Sequence, residues 1–211
     1  MFEAKLQSFT ESADGTQGAA RVAALRAILA AQGVAGCLIP RSDQHQGEYV
    51  PACDERLAWL TGFTGSAGTA IVLAGAAALF IDGRYTEQAA SQCDGAVFER
   101  VPVPGRTLSG WLGANAPAGS AIGYDPALHT PGEIDRLTTA LAPAGISLVA
   151  LPINPVDSVW PDRPAPPMGR VVAHPLALAG EATASKLDRI RATLKAEALD
   201  ALVISDPHAL A

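Results

Sequence analysis

Seven of the chain's sixteen prolines stand at positions 152, 155, 161, 164, 166, 167 and 175, and this cluster limits the possible folds more than any other feature. Proline fixes φ and removes a backbone donor, so such a stretch cannot be a central strand or a helix interior. It predicts an extended connector over residues 152–180. The chain is thereby divided into a region of 1–151 and a shorter one of 181–211.

The two regions begin alike. Leu25-Arg26-Ala27-Ile28-Leu29 matches Ile190-Arg191-Ala192-Thr193-Leu194 position by position, and at the same offset Cys37-Leu38-Ile39 falls on Leu202-Val203-Ile204. In the first copy, Val22, Leu25, Ile28 and Leu29 share one helical face over Arg21–Gln32, Gly33 is a stop signal, and Val34–Ile39 reads as a buried strand. The second copy predicts the same helix-into-strand unit. One helix and one strand cannot bury their apolar faces or satisfy a strand's backbone groups. The expectation is a truncated second domain, or a piece that docks on the first region or on a partner chain.

Between the copies, Thr69–Leu73 and Ala76–Ile81 flank Ala74-Gly75 and predict an antiparallel hairpin. Asp82-Gly83 ends the second strand, and Tyr85–Cys93 suits a helix. Further strands are expected at Val97–Val101, Ala121–Tyr124 and Ile146–Leu151, with a helix from about Gly132 to Leu141 between the last two. Strands interspersed with helices in this order define an α/β fold, a mixed β-sheet flanked by helices.

Composition narrows the function classes. Apolar residues make up 49% and charged residues 17%, which suits a folded chain. The net charge of -6 and the lack of a Lys/Arg run argue against nucleic-acid binding. Met1–Lys5 has no signal-peptide pattern, and the longest apolar run, Thr69–Ile81, is too short to span a bilayer. No membrane partner is expected. Three cysteines, Cys37, Cys53 and Cys93, are odd in number and lack metal-ligand spacing, which points to a reduced, cytoplasmic setting.

Four places invite chemistry. His45 and Glu48 are three apart, yet the second histidine of a zinc-protease helix is missing and Gly47 disfavours a helix, so a hydrogen-bonded loop is expected. Thr61–Thr69 is glycine-rich, but it lacks a phosphate-loop lysine and leads into a strand. It also has Thr64 where a nucleophile elbow requires glycine two places before Ser66, and no helix follows. A tight turn with positive φ and close backbone approach accounts for it. Asp82 is placed to cap the following helix, and Arg84 would project from the strand's end, where its planar fork suits a carboxylate or carbonyl, or else forms a structural ion pair. His129, His174 and His208 are isolated, and no catalytic or metal-ligating set is evident.

Ser42–Tyr49, Leu60–Ala70 and Asp82–Tyr85 resemble the N-terminal domain of the creatinase and aminopeptidase P superfamily. Asp157–Pro164 and the second copy resemble the three-domain Xaa-Pro aminopeptidase (aminopeptidase P) branch of peptidase family M24. The resemblance implies a creatinase N-terminal-like domain followed by the start of a similar one. It implies a parent enzyme that removes the first residue from peptides with proline second. In the parent, a C-terminal pita-bread domain holds two divalent metal ions, usually manganese, through carboxylates and a histidine. That domain lies outside these residues, so no catalytic residue, cofactor or metal ligand is carried over. The substrate-binding candidates are Arg84 and, secondarily, His45. A homodimer is implied. The expected role is substrate access and assembly, without activity alone. A stand-alone binding or scaffold module and a creatinase or prolidase-type relative are the alternatives.

Overall fold

The computed structural model describes residues 13–103, 105–206 and 209; the sequence readings at Met1–Lys5 and His208 lie outside them. Two units separate at the Pro166/Pro167 boundary.

The first unit is built on a six-stranded sheet of order β4-β3-β2-β1-β5-β6. Its strands are β1 (Gly36–Pro40), β2 (Gly68–Leu73), β3 (Ala77–Asp82), β4 (Glu99–Val103), β5 (Ala121–Tyr124) and β6 (Ser147–Ala150). Only β2 runs against its neighbours; the pairs β3/β4, β1/β5 and β5/β6 are parallel. Five strands therefore end at the same edge of the sheet, and β2 begins there.

Alternation along the central strands fills two cores. Cys37, Ile39, Ala70, Val72, Leu79 and Ile81 face one side, where they meet Leu25 and Leu29 of α1 (Gly18–Ala31), Leu57 and Leu60 of α2 (Arg56–Thr61) and Ala89 of α3 (Thr86–Gln92). Leu38, Ile71, Leu73, Ala78 and Phe80 face the other, under Trp111 and Leu112 of α4 (Leu108–Asn115) and Leu141 of α5 (Pro131–Leu141). The result is a three-layer α/β/α sandwich. The mixed sheet flanked by helices is as the sequence predicts, and so is the hairpin, whose register pairs Thr69 with Phe80 and Ile71 with Ala78.

Two helices of this unit went unforeseen. α2 is only six residues long, and α4 contains Gly110 and Gly113. So short a helix as α2 is marginal alone and glycine lowers the propensity of α4, so packing decides: Leu60, Trp111 and Leu112 are fully buried.

The proline-rich stretch also differs from a plain connector. Residues 152–166 form neither helix nor strand, but they lie on the first unit with Asn154, Val156 and Trp160 buried. Trp160 stacks on Trp59 at 5.3 Å, and the Arg21 guanidinium covers the other ring at 4.7 Å. Arg56 donates to both carboxylate oxygens of Asp157, at 2.7 and 3.0 Å. Its Nη1 lies 2.9 Å from Asp54 Oδ1, too poorly aligned for a hydrogen bond. Arg163 joins the same two carboxylates and donates to the Cys53 carbonyl at 2.7 Å. Proline forbids a ladder, but not side-chain anchoring.

The second unit contains α6 (Leu176–Ala179) and α7 (Thr183–Ala196), in which no residue is buried. The helix expected over Ile190–Leu194 is present. The strand expected over Leu202–Ile204 is not: residues 201–206 have no regular structure, and Val203 is 89% exposed. With no neighbouring strand among the described residues of this unit, the backbone has nothing to pair with.

Candidate functional site

At the shared strand edge, three sequence-separated segments meet. The first leaves β1 at Pro40. Arg41 donates to the carbonyls of Glu48 (3.2 Å) and Ser66 (3.3 Å) and pairs with Glu55 (3.2 Å), while its Nε is buried without a partner. The segment is folded around Asp43, whose Oδ1 accepts from the amides of His45 (2.9 Å) and Gly47 (3.0 Å). It is thus a hydrogen-bonded loop rather than a helix, and it leaves His45 and Tyr49 exposed. The His45 ring lies 3.3 Å from the Gln44 side-chain amide.

The second segment is the glycine-rich turn. Gly62 terminates α2 with φ +82°, and a Cβ there would sit 2.6 Å from the Gln92 carbonyl oxygen. Gly65 lies under the Phe63 ring, where a Cβ would approach to 2.2 Å. Positive φ and close backbone approach account for Gly62, and the Phe63 ring for Gly65. Thr64 is tied to Gln92 through its amide (3.0 Å) and hydroxyl (2.9 Å). Ser66 Oγ lies 2.6 Å from Tyr85 Oη, so this serine is held by a phenol and not by a general base.

The third segment follows β3. Asp82 accepts from the Arg84 amide at 2.8 Å, capping a short 3-10 turn over Gly83–Tyr85. Its carboxylate also takes Arg84 Nε (3.0 Å) and Nη2 (3.1 Å). These hydrogen bonds hold the Asp82 carboxyl below its usual range and raise the Arg84 guanidinium above its own. Arg84 is 68% exposed, and Nη1 keeps no partner among the described residues. Tyr85 packs edge-on against Phe63 at 5.7 Å. The outcome is an exposed cation whose fork is paired with Asp82 and which lies over the Tyr85 ring at 5.2 Å.

The edge therefore gathers Arg84, Tyr85, Ser66, Arg41 and the His45 loop. Sequence reasoning missed Arg41 and Tyr85. A charged residue directly after a buried strand was the available signal for Arg41; Tyr85's contact with Ser66 had none. The described residues contain no group of three or more His, Cys, Asp or Glu that could hold a metal ion. The three cysteines are free and buried, with burial raising each thiol's pKa, that of Cys93 to about 11. They are poor nucleophiles. No helix among the described residues is long and apolar enough to cross a membrane.

Known proteins share this fold. The Creatinase/Prolidase N-terminal domain profile matches residues 21–155, and a second profile of the same description matches residues 162–211. The chain belongs to the creatinase/prolidase N-terminal domain family. It is 39% identical to a probable Xaa-Pro aminopeptidase P of Coccidioides posadasii over 97% of its own length and 32% of the relative's. A similar protein of Arthroderma otae is 39% identical over 88% of the chain and 30% of its own length. Among solved structures, the cytosolic X-prolyl aminopeptidase of Caenorhabditis elegans, an enzyme with a di-nuclear active site, superposes with a TM-score of 0.82 at 30% identity. That match covers 90% of this chain and 33% of the enzyme. The N-terminal domain of Mycobacterium tuberculosis PepQ gives 0.53 at 33% identity, over 66% and 98% of the two chains. The chain thus spans about a third of the length of the aminopeptidase relatives it matches.

Proposed function

We propose that this chain is the non-catalytic, substrate-facing part of a cytoplasmic, homodimeric metalloenzyme that removes the N-terminal residue from peptides with proline second. The observation that carries the reading is Arg84. It stands at the carboxyl end of a parallel strand, is locked by Asp82, and keeps an exposed nitrogen. A guanidinium so fixed loses little entropy on meeting a peptide carbonyl or carboxylate. His45, exposed on the neighbouring loop, is the second contact we assign to substrate. The residues described here do not fit a pair of metal ions, so no hydrolytic step is assigned to them; we place the two divalent metals, with manganese the expected identity, in other parts of the enzyme.

The domain organisation we favour is a recognition domain whose sheet ends at about residue 151, a linker of 152–180 whose first part, to residue 166, is anchored on that domain, and a second creatinase-like domain from 181. The second profile match, over residues 162–211, supports a related domain in this part of the chain.

The test is kinetic. The 211-residue chain with an Xaa-Pro peptide and manganese should release no amino acid. In an enzyme that includes this region, Arg84→Ala should lower kcat/KM for such peptides by the equivalent of about 1–3 kcal/mol, the loss of a charge-assisted hydrogen bond. Turnover by the chain alone, or unchanged kinetics in the variant, overturns the assignment.

A further inference from the structure

The order in which the sheet is built carries a second reading. From β1 the chain adds β2, β3 and β4 on one side, then returns to add β5 and β6 on the other. The reversal falls between β1 and β5. In open α/β sheets the loops part at such a point and leave a crevice beyond the carboxyl ends of the strands. Next to this point, on the face covered by α4 and α5, a cavity of about 390 Å³ opens between the start of α4 and the flank of α5, lined by Thr69, Leu108, Ser109, His129, Arg136 and Leu137 among others.

Its chemistry is asymmetric. The first amides of α4, at Leu108 and Ser109, have no intrahelical acceptor, and no acidic residue occupies that first turn to offset the helix dipole. Thr107 is already engaged in capping Gly110 at 3.1 Å, and Ser109 Oγ lies 3.2 Å from the Thr107 hydroxyl. Arg136 is exposed and has no ion pair or hydrogen bond among the described residues. Glu133, the cavity's carboxylate, is held in the capping box of α5, accepting from the Thr130 amide at 2.8 Å. His129 packs edge-on against Tyr124 at 5.8 Å and buries Nε2 with no partner. Leu108 and Leu137 supply an apolar wall that continues into the core.

We propose that this crevice binds a small carboxylate bearing a short apolar tail, with Arg136 and the α4 N-terminus taking the carboxylate and Leu108 and Leu137 the tail. The inference does not depend on the peptidase reading, since it uses neither Arg84 nor the loop of His45. The carboxylate can come from a free short-chain acid or from the C-terminal residue of a peptide.

The experiment is an NMR titration of the 211-residue chain, read at the His129 ring, with that signal assigned by its loss in His129→Gln. The probes are hexanoate, N-acetyl-alanyl-leucine, hexanamide and inorganic phosphate. Hexanoate, the peptide or both should shift the His129 signal saturably in the millimolar range, and hexanamide should not. Arg136→Ala should weaken the binding about tenfold, as loss of a charge-assisted hydrogen bond would, with the core amide spectrum unchanged. Tighter binding by the peptide assigns the ligand to a peptide terminus, and tighter or equal binding by hexanoate to a free acid. Absence of a saturable shift, equal binding of hexanamide, phosphate binding as tight as hexanoate, or indifference to Arg136→Ala would each overturn the proposal.

Discussion

The two copies of the internal repeat keep similar residue types at the same spacing and reach different ends. In the first unit, Leu25 is fully buried, Leu29 is 3% exposed, and Cys37-Leu38-Ile39 lies in a strand paired on both sides. In the second, α7 forms with no buried residue, and Leu202-Val203-Ile204 stays irregular. The helix survives because its hydrogen bonds are internal, helped by the Glu181–Arg189 pair at 2.7 Å. The strand does not, because its partners must come from elsewhere. The comparison separates what a segment can do alone from what only a sheet can make it do.

Equivalent truncations test that contrast most directly. Leu25→Ala should destabilise the first unit by about 2–5 kcal/mol, the usual cost of a core cavity. Ile190→Ala, at the matching position, should stay within about 0.5 kcal/mol. Urea midpoints of both variants, followed by tryptophan fluorescence, decide it, since Trp59, Trp111 and Trp160 all lie in the first unit. A large loss from Ile190→Ala would mean that α7 is buried in solution.

A smaller effect is expected where the boundary between the regions is anchored. Arg56 is 7% exposed, and burial opposes its charge, but its hydrogen bonds to Asp157 and the field of Asp54 outweigh that and keep it charged. Arg56→Ala should cost about 2–3 kcal/mol, less than breaking a fully buried pair, because Arg163 still holds both carboxylates. Arg56→Lys should recover only part, since an ammonium cannot span both Asp157 oxygens. Hydrogen exchange at Val156 and Val159 should quicken in both variants. Unchanged exchange there would show that the Trp59–Trp160 stack alone retains the segment.

What was legible in the sequence follows the same division. The hairpin was readable because two continuous apolar runs and a two-residue turn between them are local signals, and β5 was readable as a short apolar run. α2 and α4 were not, because glycine and brevity hide helices that only burial of Leu60, Trp111 and Leu112 maintains. Arg84 could be placed from Asp82-Gly83 at a strand end. The Ser66–Tyr85 contact and Arg41's reach across two loops could not, being distances between segments that only the folded sheet brings together. The prolines announced the lack of regular structure up to Pro175, but neither the short α6 that follows nor the docking, which depends on Arg56, about a hundred residues away in sequence from Asp157.

The smallest expected effect concerns pH, and it again sets the first unit against the second. Burial depresses the pKa of His129 below that of a free histidine, against the opposing fields of Glu133 and Asp125. Its folded pKa therefore lies below its unfolded one, so the unfolded chain takes up the proton first as pH falls. Its contribution to stability is fully present above the unfolded pKa and is lost as pH drops from about 6.5 through the folded value. His129→Gln should flatten the decline in urea midpoint over that window while leaving the midpoint's pH dependence above it unchanged. The same substitution at His174, exposed in the second unit, should leave the profile as it was. If the two variants flatten the curve equally, the decline belongs to general charge repulsion rather than to the buried imidazole beside Tyr124.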